Sequence, residues 1–534
     1  MMKPRRGTTP CWRHRLIVLA VLICTACGDS STSALIAGVG SDGGGGGSGG
    51  GSSSPPPQID RSCDTAAFPS ATFTQCEATN FAMNGQAVAE ELSTAFQQRW
   101  NAQSLTNTQS WIARAVADPS WLSPTSGNTP LLPLCSTWAA QCVGDPFRYA
   151  EAVGADGDQF YAGEAEVSPI VYYDEGCARQ SGRVWAPNGS KAGDKLPAVV
   201  VENGSVQAPE TVYWWAAQAL VRAGYVVMSF DPRGQGRSDQ QTPTGGQGSN
   251  ANISVFTTGL VNAIDFFRSS PVQPYPHNAS CKDTYATPVI DFNPYQDRID
   301  PDRLGIAGHS AGAIGVTVVQ SYGAPGAPAW PGKIDLRNPV KVAVAWDGAT
   351  NPNIAGGGLA SAPGAGPIFF EAAALLASVP AVLIPGVPFM SQTSEYGLVP
   401  TAYLTPPDIE SHKAGYRLWK AAGIPVIELT IRGSSHYEWS LLPTFPATSR
   451  CPQVVDGRCV GGWGRPMAEH YTVAWFDRYL KSPGEPGYAD ADERLLNDAG
   501  EQGANKMSYH FRSARAFTDR AGKAQVCEDI RAGC

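Results

Sequence analysis

From about residue 165 onward the chain alternates short apolar runs with stretches of helical periodicity. Pro169 to Tyr173 and Gly182 to Ala186 read as a first pair of strands. Pro197-Ala198-Val199-Val200-Val201 is an unbroken apolar run, the pattern of a strand buried on both faces. Tyr225 to Phe230, Leu304 to Ala307, Val342 to Trp346, Pro388 to Thr393 and Pro425 to Ile431 repeat that pattern. Thr211 to Ala223 is helical with Gly224 as its stop, and Ile253 to Arg268, Pro407 to Ala422 and Pro466 to Leu480 are the other expected helices. Strands alternating with helices predict an α/β fold on a doubly wound, mostly parallel sheet, over residues 165–485. Residues 271–300 interrupt it as an aromatic, proline-rich excursion.

The flanks follow other patterns. Residues 59–164 carry helical spacing at Gln86 to Trp100 and Thr108 to Ala117, then a stop at Asp118-Pro119, and read as a helical N-terminal extension packed on the core. Residues 28–58 are Gly-, Ser- and Pro-rich, a flexible tether with a stiffer end. Before them lie a basic start (Lys3, Arg5, Arg6, Arg13), the apolar run Leu16 to Ile23, and Cys24-Thr25-Ala26-Cys27-Gly28. The run is short for a membrane span, and the ending resembles a bacterial lipobox with Cys24 where Leu is usual. A signal peptide over 1–27, lipidation of Cys27 and an envelope or secreted location are therefore expected. Residues 486–534 read as a C-terminal extension.

Composition narrows the function. Charged residues make up 16% of the 534 and the net charge is −8, which gives no support for nucleic-acid binding. Thirteen cysteines are present. Ten follow Cys27, an even number that reads as disulfides in an exported chain. Several lie close together: Cys63 and Cys76, Cys135 and Cys142, Cys451 and Cys459, Cys527 and Cys534. Neighbour pairing then leaves Cys177 with Cys281. No Cys-x-x-Cys pairs stand in metal-site arrangement, so no metal is expected. No G-x-G-x-x-G follows the first strand, so no nucleotide cofactor is expected either.

The chemistry concentrates at Gly308-His309-Ser310-Ala311-Gly312, between an apolar run and small residues able to open a helix. A serine on so sharp a strand-to-helix turn has its hydroxyl lifted clear of the sheet, and glycines on either side avoid collisions with neighbouring backbone. Two further motifs follow the strand pattern in order: Asp231-Pro232-Arg233-Gly234-Gln235-Gly236-Arg237-Ser238 before the serine, and Gly433-Ser434-Ser435-His436 after the last strand. Together the three resemble the α/β-hydrolase superfamily, in its secreted esterase and lipase-like branches. The long extension and the insertions depart from it.

The resemblance implies an α/β-hydrolase fold and a serine hydrolase cleaving carboxylic esters through an acyl-enzyme. Ser310 is the expected nucleophile and His436 its base. Glu395, in Ser394-Glu395-Tyr396-Gly397 after a predicted strand, is the expected acid, with Asp347 in Trp346-Asp347-Gly348 as the competitor one strand earlier. The oxyanion donors implied are the backbone N–H groups of Ala311 and of Ser205 in the loop after Asn203-Gly204, with Val206 as fallback. Residues 348–386, rich in Gly, Ala, Pro and Leu, read as an apolar cover favouring acyl or aromatic ester substrates. A peptidase on this fold, or a non-catalytic binding protein, is the alternative.

Overall fold

The computed structural model describes residues 58–83, 112–123, 160–205, 209–249, 254–348, 383–397, 400–440 and 464–534. Isolated positions and the backbone of 453–455 and 458–460 add to these. The chain divides into two units, Met1–Pro55 and Pro56–Cys534, and the described residues all lie in the second. The signal-like segment, Cys27 and most of the tether therefore fall outside them. So do Val206, Cys135, Cys142, Cys451 and almost all of the expected cover at 348–386. No helix among the described residues is long and apolar enough to cross a membrane.

The apolar runs become strands: β1 (Ala165–Tyr173), β2 (Arg179–Pro187), β3 (Leu196–Glu202), β4 (Val226–Asp231), β5 (Ile299–His309), β6 (Val340–Trp346), β7 (Phe389–Ser394) and β8 (Val426–Ile431). A short hairpin of β9 (Gln453–Val455) and β10 (Arg458–Val460) stands apart. Two more strands, β11 (Ala514–Thr518) and β12 (Ala524–Cys527), come from the C-terminal extension. Ten strands form one sheet in the order β1-β2-β4-β3-β5-β6-β7-β8-β11-β12. From β4 through β8 neighbours run parallel, while β1, β2, β11 and β12 pair antiparallel at the two edges. This is a mostly parallel α/β architecture.

Period-2 alternation sends each central strand into two cores. On β3, Val199 and Val201 join Trp214, Trp215, Trp346 and Trp475 on one side. Ala198 and Val200 join Leu260, Ile264, Val316 and Trp419 on the other. The first face is covered by α2 (Trp214–Arg222) and α6 (Gly464–Leu480), the second by α3 (Ser254–Arg268), α4 (Ala311–Val319) and α5 (Ala414–Ala421). The helix expected over Pro407 to Ala422 begins only at Ala414, after a tight turn at Ser411–Lys413. β3 lies between β4 and β5. The chain thus leaves β3 toward one edge and β5 toward the other. The gap between their carboxyl ends is the crevice such sheets offer to ligands.

The N-terminal extension is built into this body. α1 (Ala71–Ala82) is capped by Ser70, whose hydroxyl oxygen accepts the Phe73 N–H at 3.1 Å. Its Glu77 and Asn80 are buried. Glu77 accepts from the Tyr403 N–H at 2.6 Å and from His510. Further on, Arg179 of β2 lies between the rings of Trp121 and Tyr285, at 3.7 and 3.8 Å. Three disulfides are present among the described residues: Cys63–Cys76, Cys177–Cys281 and Cys527–Cys534. Each is a pairing expected from the sequence.

Candidate active site

Ser310 stands between β5 and α4, with φ 56° and ψ −119°. A non-glycine residue in that region is strained by about 1–3 kcal/mol, and such strain persists only where surrounding structure imposes it. The imposing structure is tight backbone packing. A Cβ on Gly308 would stand 2.6 Å from the Gly312 carbonyl oxygen, and one on Gly312 would stand 2.4 Å from that of Asn203. The Ser310 N–H donates to the Trp346 carbonyl at 3.0 Å, which ties the turn to the next strand. The hydroxyl is left at the start of α4, where unpaired helix N–H groups favour negative charge.

His436 arrives on the loop after β8. Its Nε2 lies 2.9 Å from the Ser310 hydroxyl, and its Nδ1 lies 2.5 Å from Oδ2 of Asp347. Asp347 sits directly after β6 at φ 45°. Its Oδ1 accepts the Ser394 N–H at 2.6 Å and its Oδ2 the Ser394 hydroxyl at 2.8 Å. Burial alone would raise the Asp347 carboxyl. The hydrogen bond and charge of His436, with the two Ser394 donors, outweigh it and hold the group below its ordinary value. An ionised carboxylate that accepts the Nδ1 proton leaves Nε2 as a lone pair aimed at the serine hydroxyl. That imidazole can take a proton from Ser310 while its growing charge faces a fixed anion.

Glu395 does not reach His436, which corrects the expected assignment. One oxygen accepts from Asn80 Nδ2 at 2.6 Å and from the Gly433 N–H at 2.5 Å, and the other accepts from the Ser508 hydroxyl. Glu395 therefore ties α1, the loop leading to His436 and the C-terminal segment together from beneath. The physical reason for the exchange is direction. β6 and β7 are parallel neighbours, with Trp346 opposite Gln392. The reversal at Asp347 turns its carboxylate toward His436, whereas Glu395 is turned into the body at 1% exposure. In the sequence the reversal leaves one trace, the turn-forming Asp347-Gly348 pair, and its positive φ is a property of the fold.

The loop after β3 meets the same point. Gly204 packs so closely that a Cβ there would stand 3.1 Å from Ser310 Cβ and 2.9 Å from the Tyr213 hydroxyl. Its N–H donates to that hydroxyl at 3.0 Å. Among the described residues the Ser205 and Ala311 N–H groups have no acceptor. Beneath this loop, Asp231 at the end of β4 accepts from Asn203 Nδ2 at 2.9 Å, the Glu210 N–H at 2.6 Å and the Arg237 N–H at 2.9 Å. The Asp-Pro-Arg-Gly turn is thus a brace for the loop after β3. Arg233 pairs with Asp174 on the far side.

Two further residues pack against the site. His309, beside the nucleophile in the turn, is buried next to His436, with ring centroids 4.6 Å apart. Burial, reinforced by the nearby His436, lowers it to about 3, so it stays neutral. Tyr213 carried no sequence signal beyond a position early in an expected helix.

No family model matches this chain, and no curated protein matches it. Among solved structures it is similar to esterase 2 of Thermogutta terrifontis. With the form phosphoramylated by tabun the TM-score is 0.34 at 14% identity, over 52% of this chain and 87% of that one. The forms phosphonylated by cyclosarin and phosphorylated by paraoxon give 0.33, at 13% and 14% identity, over 52% of this chain and 86% of theirs.

Proposed function

We propose that the protein is a serine hydrolase of the α/β-hydrolase superfamily that cleaves carboxylic esters. The observation that carries the reading is the continuous hydrogen-bonded line from the Ser310 hydroxyl through His436 to the Asp347 carboxylate, with the serine on a strained turn.

In this mechanism His436 Nε2 takes the Ser310 proton as the hydroxyl oxygen bonds to the ester carbonyl carbon. The carbonyl oxygen becomes an oxyanion and is met by the N–H groups of Ala311 and Ser205, at the positive end of α4. Collapse breaks the ester C–O bond, and His436 passes its proton to the departing alcohol. Water then repeats the sequence on the acyl-enzyme, releasing the acid and restoring Ser310. Asp347 stays ionised throughout, holding the ring and its charge.

A fluorophosphonate probe should label the protein at Ser310. Ser310→Ala should abolish labelling and lower turnover of chromogenic esters by roughly 10⁴-fold or more. Undiminished hydrolysis by that variant would end the reading, and a graded acyl series on the wild type would define the substrate. We further propose export, which the three disulfides support, and lipidation at Cys27, for which the lipobox-like sequence before it is the ground. Cys27→Ser should lose detergent partitioning while keeping esterase activity.

A further inference from the structure

Three hydrogen bonds run beside Ser310 without touching it. The Gly204 N–H donates to the Tyr213 hydroxyl at 3.0 Å. The Tyr213 hydroxyl lies 2.8 Å from His309 Nδ1, and His309 Nε2 lies 2.8 Å from the backbone carbonyl of His436. Tyr213 and His309 are 1% and 3% exposed, so water does not compete for these groups.

The network assigns its own protons. A carbonyl can only accept, so His309 Nε2 carries the hydrogen and Nδ1 is a bare acceptor. Tyr213 must then donate to Nδ1 and accept from Gly204. Every donor is matched in a single direction, from the loop after β3, through the residue preceding Ser310, to the loop that carries His436.

We propose that Tyr213 and His309 are positioning residues that hold the Ser205 N–H and the His436 ring in register with Ser310. The proposal rests on the ester-hydrolase reading above and deepens it. Because Gly204 spends its N–H on Tyr213, its peptide plane is fixed and the next N–H, that of Ser205, is the one left for an oxyanion. At the other end, the His309 N–H grips the backbone of His436 itself. The neutral His309 ring also lies against His436 without opposing the charge that His436 acquires. Neither residue touches the substrate, so their effect falls on turnover.

Tyr213→Phe in the full chain removes one hydroxyl and keeps the ring. It should lower kcat by roughly tenfold to a hundredfold, less than the loss of an oxyanion donor, with KM within about twofold. The specific readout is the ratio of turnover on an ester to that on the matching thionoester, whose sulfur is a poor hydrogen-bond acceptor. That ratio should fall in Tyr213→Phe, because the oxyanion N–H is the group displaced. His309→Gln, whose amide offers one donor and one acceptor, should retain more kcat than His309→Ala, and this pair decides the matter if Tyr213→Phe fails to fold. A parallel fall on both substrates would mark a merely structural role and overturn the proposal. So would unchanged kcat in Tyr213→Phe, or equal loss in the two His309 variants. If wild type neither hydrolyses esters nor reacts with a fluorophosphonate, the ester reading itself fails and takes this one with it. If wild type does both and Tyr213→Phe matches it, only the relay fails.

Discussion

Asp347→Asn separates two carboxylates that the sequence left in competition. The Ser394 N–H donates to Oδ1 and constrains the amide: its oxygen must stay there, which puts the NH₂ in place of Oδ2. That NH₂ then faces His436 Nδ1 at a distance now 2.5 Å, and two donors cannot share it. The ring is driven to the tautomer with its hydrogen on Nε2, which points a donor instead of a lone pair at Ser310. A base held in the wrong tautomer costs about 10⁴-fold in kcat, about 5.4 kcal/mol of barrier, while volume and packing barely change. Glu395→Gln is the matched control. It should cost less than tenfold in kcat but about 1–3 kcal/mol of stability, since one of Asn80, Gly433 and Ser508 then faces a donor. Steady-state kinetics on a chromogenic ester and denaturant unfolding read the two effects separately. If Asp347→Asn keeps more than a tenth of wild-type kcat while Glu395→Gln loses a thousandfold, the assignment drawn from the geometry is wrong.

A chain beginning at Ile59 should retain wild-type turnover. One beginning at residue 84 lacks Glu77 and Asn80, the acceptors of His510 Nε2 and Arg432 Nε, and should be less stable by about 3 kcal/mol or more in a denaturant titration. Burial lowers His412 from 6.5 to about 4, so between those values the unfolded chain binds a proton that the folded one refuses. Stability from this group is complete above pH 6.5 and lost as pH falls, by about 2 kcal/mol at pH 5. His412→Gln should flatten the pH dependence of unfolding between pH 7 and 5 by about that amount. Replacing both Cys177 and Cys281 by Ser opens a link across 104 residues and should cost about 4–5 kcal/mol on the loop-entropy model, read from denaturant midpoints.

Much of this protein was legible along the chain, because its central strands are buried on both faces. The runs at 197–201, 225–230 and 342–346 could be read without neighbours, since a strand in a parallel sheet has no polar face to disguise it. The serine turn was legible for a related reason. The close packing at Gly308 and Gly312 admits no side chain, so backbone crowding left its mark in residue type. Local patterns stop there. The strands β11 and β12 are only five and four residues long, and their place in the sheet depends on the pairing of β11 with β8, almost ninety residues earlier. Whether Asp347 or Glu395 meets His436 depends on which way one carboxylate turns after its strand, set by a positive φ and by the donors of Ser394. The Tyr213–His309 line joins residues 96 apart, and the His309–His436 bond residues 127 apart. The sequence by itself determined which segments must be buried and where a strained serine must sit. Tertiary structure alone decided which distant polar groups meet there, because a hydrogen bond depends on ångström placement that no residue-type pattern encodes.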